Sequence, residues 1–147
     1  MKTVHFAVLV LMLDGICSCS SSRTSGDRSV PFTLAQNYFI GNTVAILADT
    51  VITDLDRFHQ LFGMATTMGP NGKPTPIDFS RQFVIAVAPP ETVLATTIQA
   101  TGLERVDEKL VLQYRVEEGQ PQTYTSRPIL LVIVDRTHLA PVVLKKQ

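Results

Sequence analysis

The sequence predicts a mainly β domain of the α+β kind, an antiparallel sheet or sandwich of about seven strands with one helix near residues 53–62. Three observations predict it. From Pro31 onward, short apolar runs alternate with Gly, Pro, Asn and Asp punctuation. Only one stretch carries the 3.6-residue period of a helix. Two runs, 83–88 and 129–134, are apolar at every position, the pattern of central strands covered on both faces.

Residues 32–40 read as one extended segment anchored by Tyr38 and Phe39, ended by Gly41-Asn42 and followed by a short apolar run at 44–47. Thr53 is placed to cap a helix, with Asp54 and Asp56 in the first turn, where the helix dipole favours negative charge. Leu55, Phe58 and Phe62 then share one face, and Gly63 suits the residue just past the C-terminus. Residues 64–80 carry three prolines, two glycines and two methionines, the composition of a long loop. Pro89-Pro90 ends the 83–88 strand, and a Thr-rich strand follows at 93–101. Asp107-Glu108-Lys109 forms a turn, and 110–117 alternates in polarity as a half-exposed strand does. Residues 119–122 read as a second turn. After the 129–134 strand, residues 135–140 link to a last strand at 141–144, closed by Lys145 and Lys146.

Hydrophobic residues make up 45% and charged residues 18%, which suits a globular chain rather than a disordered one. Lys plus Arg and Asp plus Glu each number 13, so the net charge is zero. A phosphate-tracking surface needs a basic excess, so nucleic acid is not an expected partner.

The N-terminus points to the cell envelope. Lys2 precedes a run at 4–13 that is apolar except for His5. As a helix, such a run rises about 15 Å, half of a hydrocarbon core, so it reads as a signal peptide rather than a span. The only cysteines, Cys17 and Cys19, follow at once. Ile16-Cys17-Ser18-Cys19 resembles a bacterial lipobox, with Cys17 where Ala, Ser or Thr is usual. The resemblance implies a diacylglyceryl thioether on Cys19 and cleavage before it. The expected organisation is a signal peptide at 1–18, a lipid-anchored flexible tether at 19–30 and one β-rich domain at 31–147. Ser20 after the lipid-bearing residue implies the outer membrane by the usual sorting rule. A plain secreted signal is the other reading. A Cys-x-Cys metal clip would need two more ligands, and the chain offers no further Cys and only three His.

No catalytic residue, cofactor or metal is expected. G-x-S-x-G, H-E-x-x-H and glycine-rich dinucleotide patterns are all missing from the sequence. Gly69-Pro70-Asn71-Gly72-Lys73 lacks the phosphate-loop spacing, and Pro has no N–H to offer a phosphate. His59 sits at the edge of the helical face with no nucleophile nearby in sequence, and reads as a packed side chain bonded to a carbonyl or to Asp56. His138 has no thiol to activate once cleavage has removed Cys17 and Cys19 carries lipid. Glu117 and Glu118 fall on opposite faces of a strand and cannot share a substrate.

From Asp78-Phe79-Ser80 the chain resembles the C-terminal domain of the PrcB family, lipoprotein subunits of a bacterial surface protease complex. The shared pattern runs through the apolar strand 83–88, the 106–112 hairpin, the Gln/Thr/Pro stretch, Arg127-Pro128 with its apolar strand, and Pro141-Val142-Val143. It covers residues 77–145. The family's Thr-Gly-Gly-Tyr-like loop is replaced by residues 90–97, which hold neither glycine nor tyrosine.

Together these features lead to a non-enzymatic envelope lipoprotein, an accessory or binding subunit for another envelope protein, with a protease as one candidate partner. The expected contact is the 64–80 loop through Met64, Met68, Pro70, Asn71, Lys73 and Ile77. A periplasmic small-ligand carrier is the first alternative, with a pocket between helix and sheet lined by Phe58, Phe62 and Tyr114. A peptidase-inhibitor-like domain acting through residues 89–97 is the second.

Overall fold

A computed structural model describes residues 28–45, 47 and 50–147. The signal peptide, Cys19 and the expected tether before Arg28 lie outside the described residues, as does Ile46 of the 44–47 run. The elements are β1 (Phe32–Leu34), β2 (Tyr38–Ile40), β3 (Val51–Ile52), α1 (Leu55–Leu61), β4 (Phe62–Met64), β5 (Gln82–Val87), β6 (Thr92–Val106), β7 (Lys109–Ser126), β8 (Leu130–Asp135) and β9 (Val142–Lys146). A short 3-10 turn, Arg136–His138, joins β8 to the segment before β9.

The strands form a central antiparallel sheet of order β1-β8-β5-β3, an outer sheet of order β6-β7-β9, and a small β2-β4 pair. All pairs are antiparallel except β7 with β9. The mainly β architecture with one helix is as expected. The strand count exceeds seven because β1 to β4 are pieces of two or three residues, too short to leave a periodic pattern.

The central sheet is sandwiched between two apolar clusters. Phe83, Ile85, Val87, Leu130, Val132 and Val134 pack against Leu103, Leu110 and Leu112 of the outer sheet. The alternate residues Val84, Ala86, Leu131 and Ile133 pack against Ile40, Phe58, Leu61 and Phe62. Successive side chains of a strand point to opposite faces, so a strand covered twice must be apolar throughout. That is why β5 and β8 read as unbroken hydrophobic runs.

Several boundaries differ from the sequence expectation. The 32–40 segment is not one strand. It leaves β8 after Leu34, turns through Asn37 at φ 61°, and re-pairs with β4 from Tyr38. Asn tolerates that left-handed conformation better than most residues. The helix is capped by Asp54 rather than Thr53, its carboxylate accepting the Arg57 amide at 2.8 Å. Phe58 and Leu61 form the buried face, while Leu55 is largely exposed. Phe62 is already extended and opens β4, because pairing with Ile40 satisfies backbone that a glycine cap would otherwise serve. Gly63 therefore lies in a strand.

The expected turn at 119–122 is also absent. β7 runs on to Ser126, with Leu94 opposite Pro121 and Thr92 opposite Ser126. Gly119 marks a close approach instead: a Cβ there would lie 3.1 Å from the Ala95 carbonyl oxygen. A further register shift between Ala100 and Gly102 keeps Leu103, Ala100, Ile98 and Thr96 beside Leu112, Tyr114, Val116 and Glu118. The last strand begins at Val142 and continues through Lys146.

The first described residues already belong to the fold. The Val30 amide donates to Leu103 at 2.8 Å and the Arg105 amide to Arg28 at 2.7 Å. Val30 is buried with the outer-sheet cluster. The chain thus crosses from the β6 edge to the central sheet within four residues, joining the two layers.

Candidate functional site

The 64–80 loop is held at its base by the β1–β2 corner. The Asn37 side-chain amide donates to the carbonyl oxygens of Asn71 at 2.6 Å and Lys73 at 2.9 Å. Thr75 is bound three ways: its hydroxyl accepts the Gln36 amide, its amide donates to Gln36, and its carbonyl accepts the Tyr38 hydroxyl at 2.7 Å. Within the loop, the Thr67 amide donates to Gly72 and the Gly72 amide to Gly69. Gly72 is buried, and a Cβ there would meet the Thr67 carbonyl oxygen at 1.8 Å, so only glycine fits.

The residues expected to meet a partner divide into two groups. Met64 ends β4 and is 61% exposed, and Met68 stands fully in solvent at the tip. Pro70, Asn71 and Lys73 are exposed beside it. Ile77 is different: it packs with Phe79 against the Phe58 cluster and belongs to the core. The Pro-rich second half of the loop is thus structural, because Thr75 and Ile77 tie it down.

The pocket expected between helix and sheet does not form. Phe58 is the centre of a packed aromatic group, 5.2 Å from Tyr38 edge-on, 5.2 Å from Phe62 and 5.4 Å from Phe79. Tyr114 lies with the other cluster, across the central sheet. Tyr114 instead lines a cleft of about 600 Å³ at the end of the central sheet.

Strand length creates this cleft. β5 and β8 have six residues each, whereas β6 has 15 and β7 has 18. At the β6–β7 turn, the outer sheet rests on the central one. Toward the other end it overhangs, and its inner face lines the cleft. Thr96, Tyr114, Val116 and Glu118 line one wall with Leu144 and Lys146 of β9. The connection from β5 to β6, residues 88–91, lines the opposite wall with Pro128 and Leu47. The sequence could not show this site, because its residues come from distant segments that only the overhang gathers.

The 89–97 stretch is not a free loop. Residues from Thr92 are strand β6 paired to β7, which leaves only 88–91 as connection.

The polar residues singled out from sequence are scattered. His59 is solvent-exposed on α1 with its ring 6.3 Å from Phe58, so it is not the packed side chain expected. The His138 carbonyl accepts the Arg105 guanidinium at 2.8 Å. Glu117 faces outward to Arg115 at 3.1 Å, while Glu118 faces the cleft. Asp54 caps α1 and Asp56 sits in its first turn. Among the described residues, no three of His, Cys, Asp or Glu gather where they could hold a metal ion. No described helix is long and apolar enough to cross a membrane.

Among the described residues, three groups are shifted from their ordinary titration values. Hydrogen bonds from the Ser80 hydroxyl and amide hold the Asp78 carboxyl low, and Thr137 does the same for Asp135. Burial pushes the Tyr38 phenol up. All three are structural groups at turns or the loop base. Compared with family models, with curated proteins and with solved structures, the chain matches none of them.

Proposed function

We propose that this protein is a non-enzymatic binding module of the bacterial cell envelope, lipid-anchored through Cys19 at the outer membrane and accessory to another envelope protein. One observation carries the reading. The 64–80 loop presents an apolar tip, Met68, on a base fixed by the bonds of Gln36, Asn37 and Tyr38. A recognition element fixed before binding loses little conformational entropy on docking. Methionine adds polarizable, adaptable contact area. The resemblance to PrcB-type lipoprotein subunits supports a protease as the partner, and the lipobox supports the anchor.

The test is affinity capture of the full-length protein from its native membranes, with mass spectrometry and lipid labelling. One envelope protein enriched near one-to-one, and label on the wild type but not on Cys19→Ala, is the expected result. Capture of nothing by the lipidated wild type overturns the accessory role.

The cleft favours a second reading, a small-ligand carrier. Its size falls within the range of ligand pockets.

A further inference from the structure

The inner face of the overhanging sheet is graded in charge along its length. Tyr114 is paired with Lys146, Ile98 with Val116, and Thr96 with Glu118. Lys146, Tyr114, Val116, Thr96 and Glu118 all line the cleft. Four residue steps along the strand lead from Tyr114 to Glu118, a distance of about 13 Å. One end of the floor is therefore cationic with a phenol beside it, the middle is apolar, and the far end is anionic with a threonine hydroxyl opposite.

Three of these four polar groups are unclaimed, while the Thr96 hydroxyl donates to the Leu94 carbonyl at 3.2 Å. Among the described residues, the Glu118 carboxylate, the Lys146 ammonium and the Tyr114 hydroxyl have no side-chain partner, whereas Glu91 on the rim has Arg127 at 3.8 Å. The opposite wall, with Pro89, Pro90 and Pro128, offers apolar surface and few N–H donors.

We propose that the cleft binds a short extended peptide with free ends, its carboxylate at Lys146 and Tyr114 and its ammonium at Glu118. This rests on the cleft being a ligand site and adds the class of ligand. About four extended residues span the two charges. A ligand charged at one end only, such as a fatty acid, leaves the opposite end of the floor unmatched. A strongly polar ligand is unmatched at Val116 and at the proline wall.

Titration calorimetry of the full chain with tetra-alanine tests the proposal. Free tetra-alanine should bind, and N-acetylation or C-amidation should each weaken it by up to about fivefold, the scale of an exposed ion pair. Glu118→Gln should erase the acetylation penalty alone, and Lys146→Gln the amidation penalty alone. That crossed pattern distinguishes direct contact from general destabilisation. Equal binding of free and blocked peptides, or penalties that persist in the variants, overturns the proposal. Binding of myristate instead, abolished by Val116→Trp, keeps the cleft as a ligand site but overturns the peptide. If neither probe binds, the carrier reading falls with it.

Discussion

The side-chain amide of Asn37 donates to the backbone carbonyl of Asn71, 34 residues away, at 2.6 Å, and its second hydrogen reaches Lys73. This one side chain ties the corner between two sheets to the base of the exposed loop. It does so from a left-handed backbone, φ 61°. Conformation and bonding at Asn37 can be separated by substitution. Asn37→Gly keeps the backbone and loses both bonds, at a cost of about 1–2 kcal/mol. Asn37→Ala should cost about 1 kcal/mol more, the strain of placing a Cβ there. Chemical denaturation of the two variants reads the difference directly.

Gly72 and Gly63 should respond differently to alanine. At Gly72 the new Cβ meets the Thr67 backbone at 1.8 Å, and the turn must open, costing about 2 kcal/mol or more. At Gly63 it meets the ring of Phe39 at 2.3 Å, but that ring is 48% exposed and can swing aside. Gly63→Ala should therefore be the milder change. Amide exchange in Gly72→Ala should rise at Thr67 and leave β5 and β8 protected.

Phe58 is the residue on which the helical layer depends. It is only 1% exposed and touches the rings of Tyr38, Phe62 and Phe79. Phe58→Ala should cost about 3–5 kcal/mol, the usual range for a buried aromatic. His59→Ala, on the exposed side of the same helix, should change stability by less than about 0.5 kcal/mol. Paired urea melts of the two variants check the contrast.

Stability should fall at both pH extremes. The Asp78 and Asp135 carboxyls are held below 3.8 when folded, so they contribute stability above that value and lose it as pH drops through their lowered range. Asp78→Asn with Asp135→Asn should flatten this acid limb. Tyr38 is held above 10.0, so its contribution is complete below pH 10.0 and declines as pH rises through the raised range. Tyr38→Phe should remove the alkaline limb while losing the bond to Thr75. Melting temperature against pH for these variants is the measurement.

The parts of the fold legible in the sequence were those whose cause is local. β5 and β8 showed themselves because double coverage forces every position to be apolar. The helix showed itself through the spacing of Leu55 and Phe58, though its ends did not. Thr53 and Asp54 are both good caps, and only the chain's path at Asp54 decides between them. Gly63 and Gly119 suggested a cap and a turn, yet both sit in strands where another segment comes close. Cross-strand pairing decided those positions, and pairing is invisible in a local window. The exposed Met68 was legible as loop composition. The cleft was not, since it follows from β6 and β7 outrunning the central sheet.

The central claim is that the pinned loop recognises an envelope partner, and the affinity of the captured partner for three proteins tests it most directly. These are the wild type, Met68→Glu, and Arg115→Glu on the outer face of β7. A charge at the loop tip should weaken binding by about tenfold or more, as for an apolar anchor lost from an interface centre. The Arg115 variant should bind as the wild type does. Equal affinity for wild type and Met68→Glu, with both folded, would contradict the account and place the contact elsewhere on the domain.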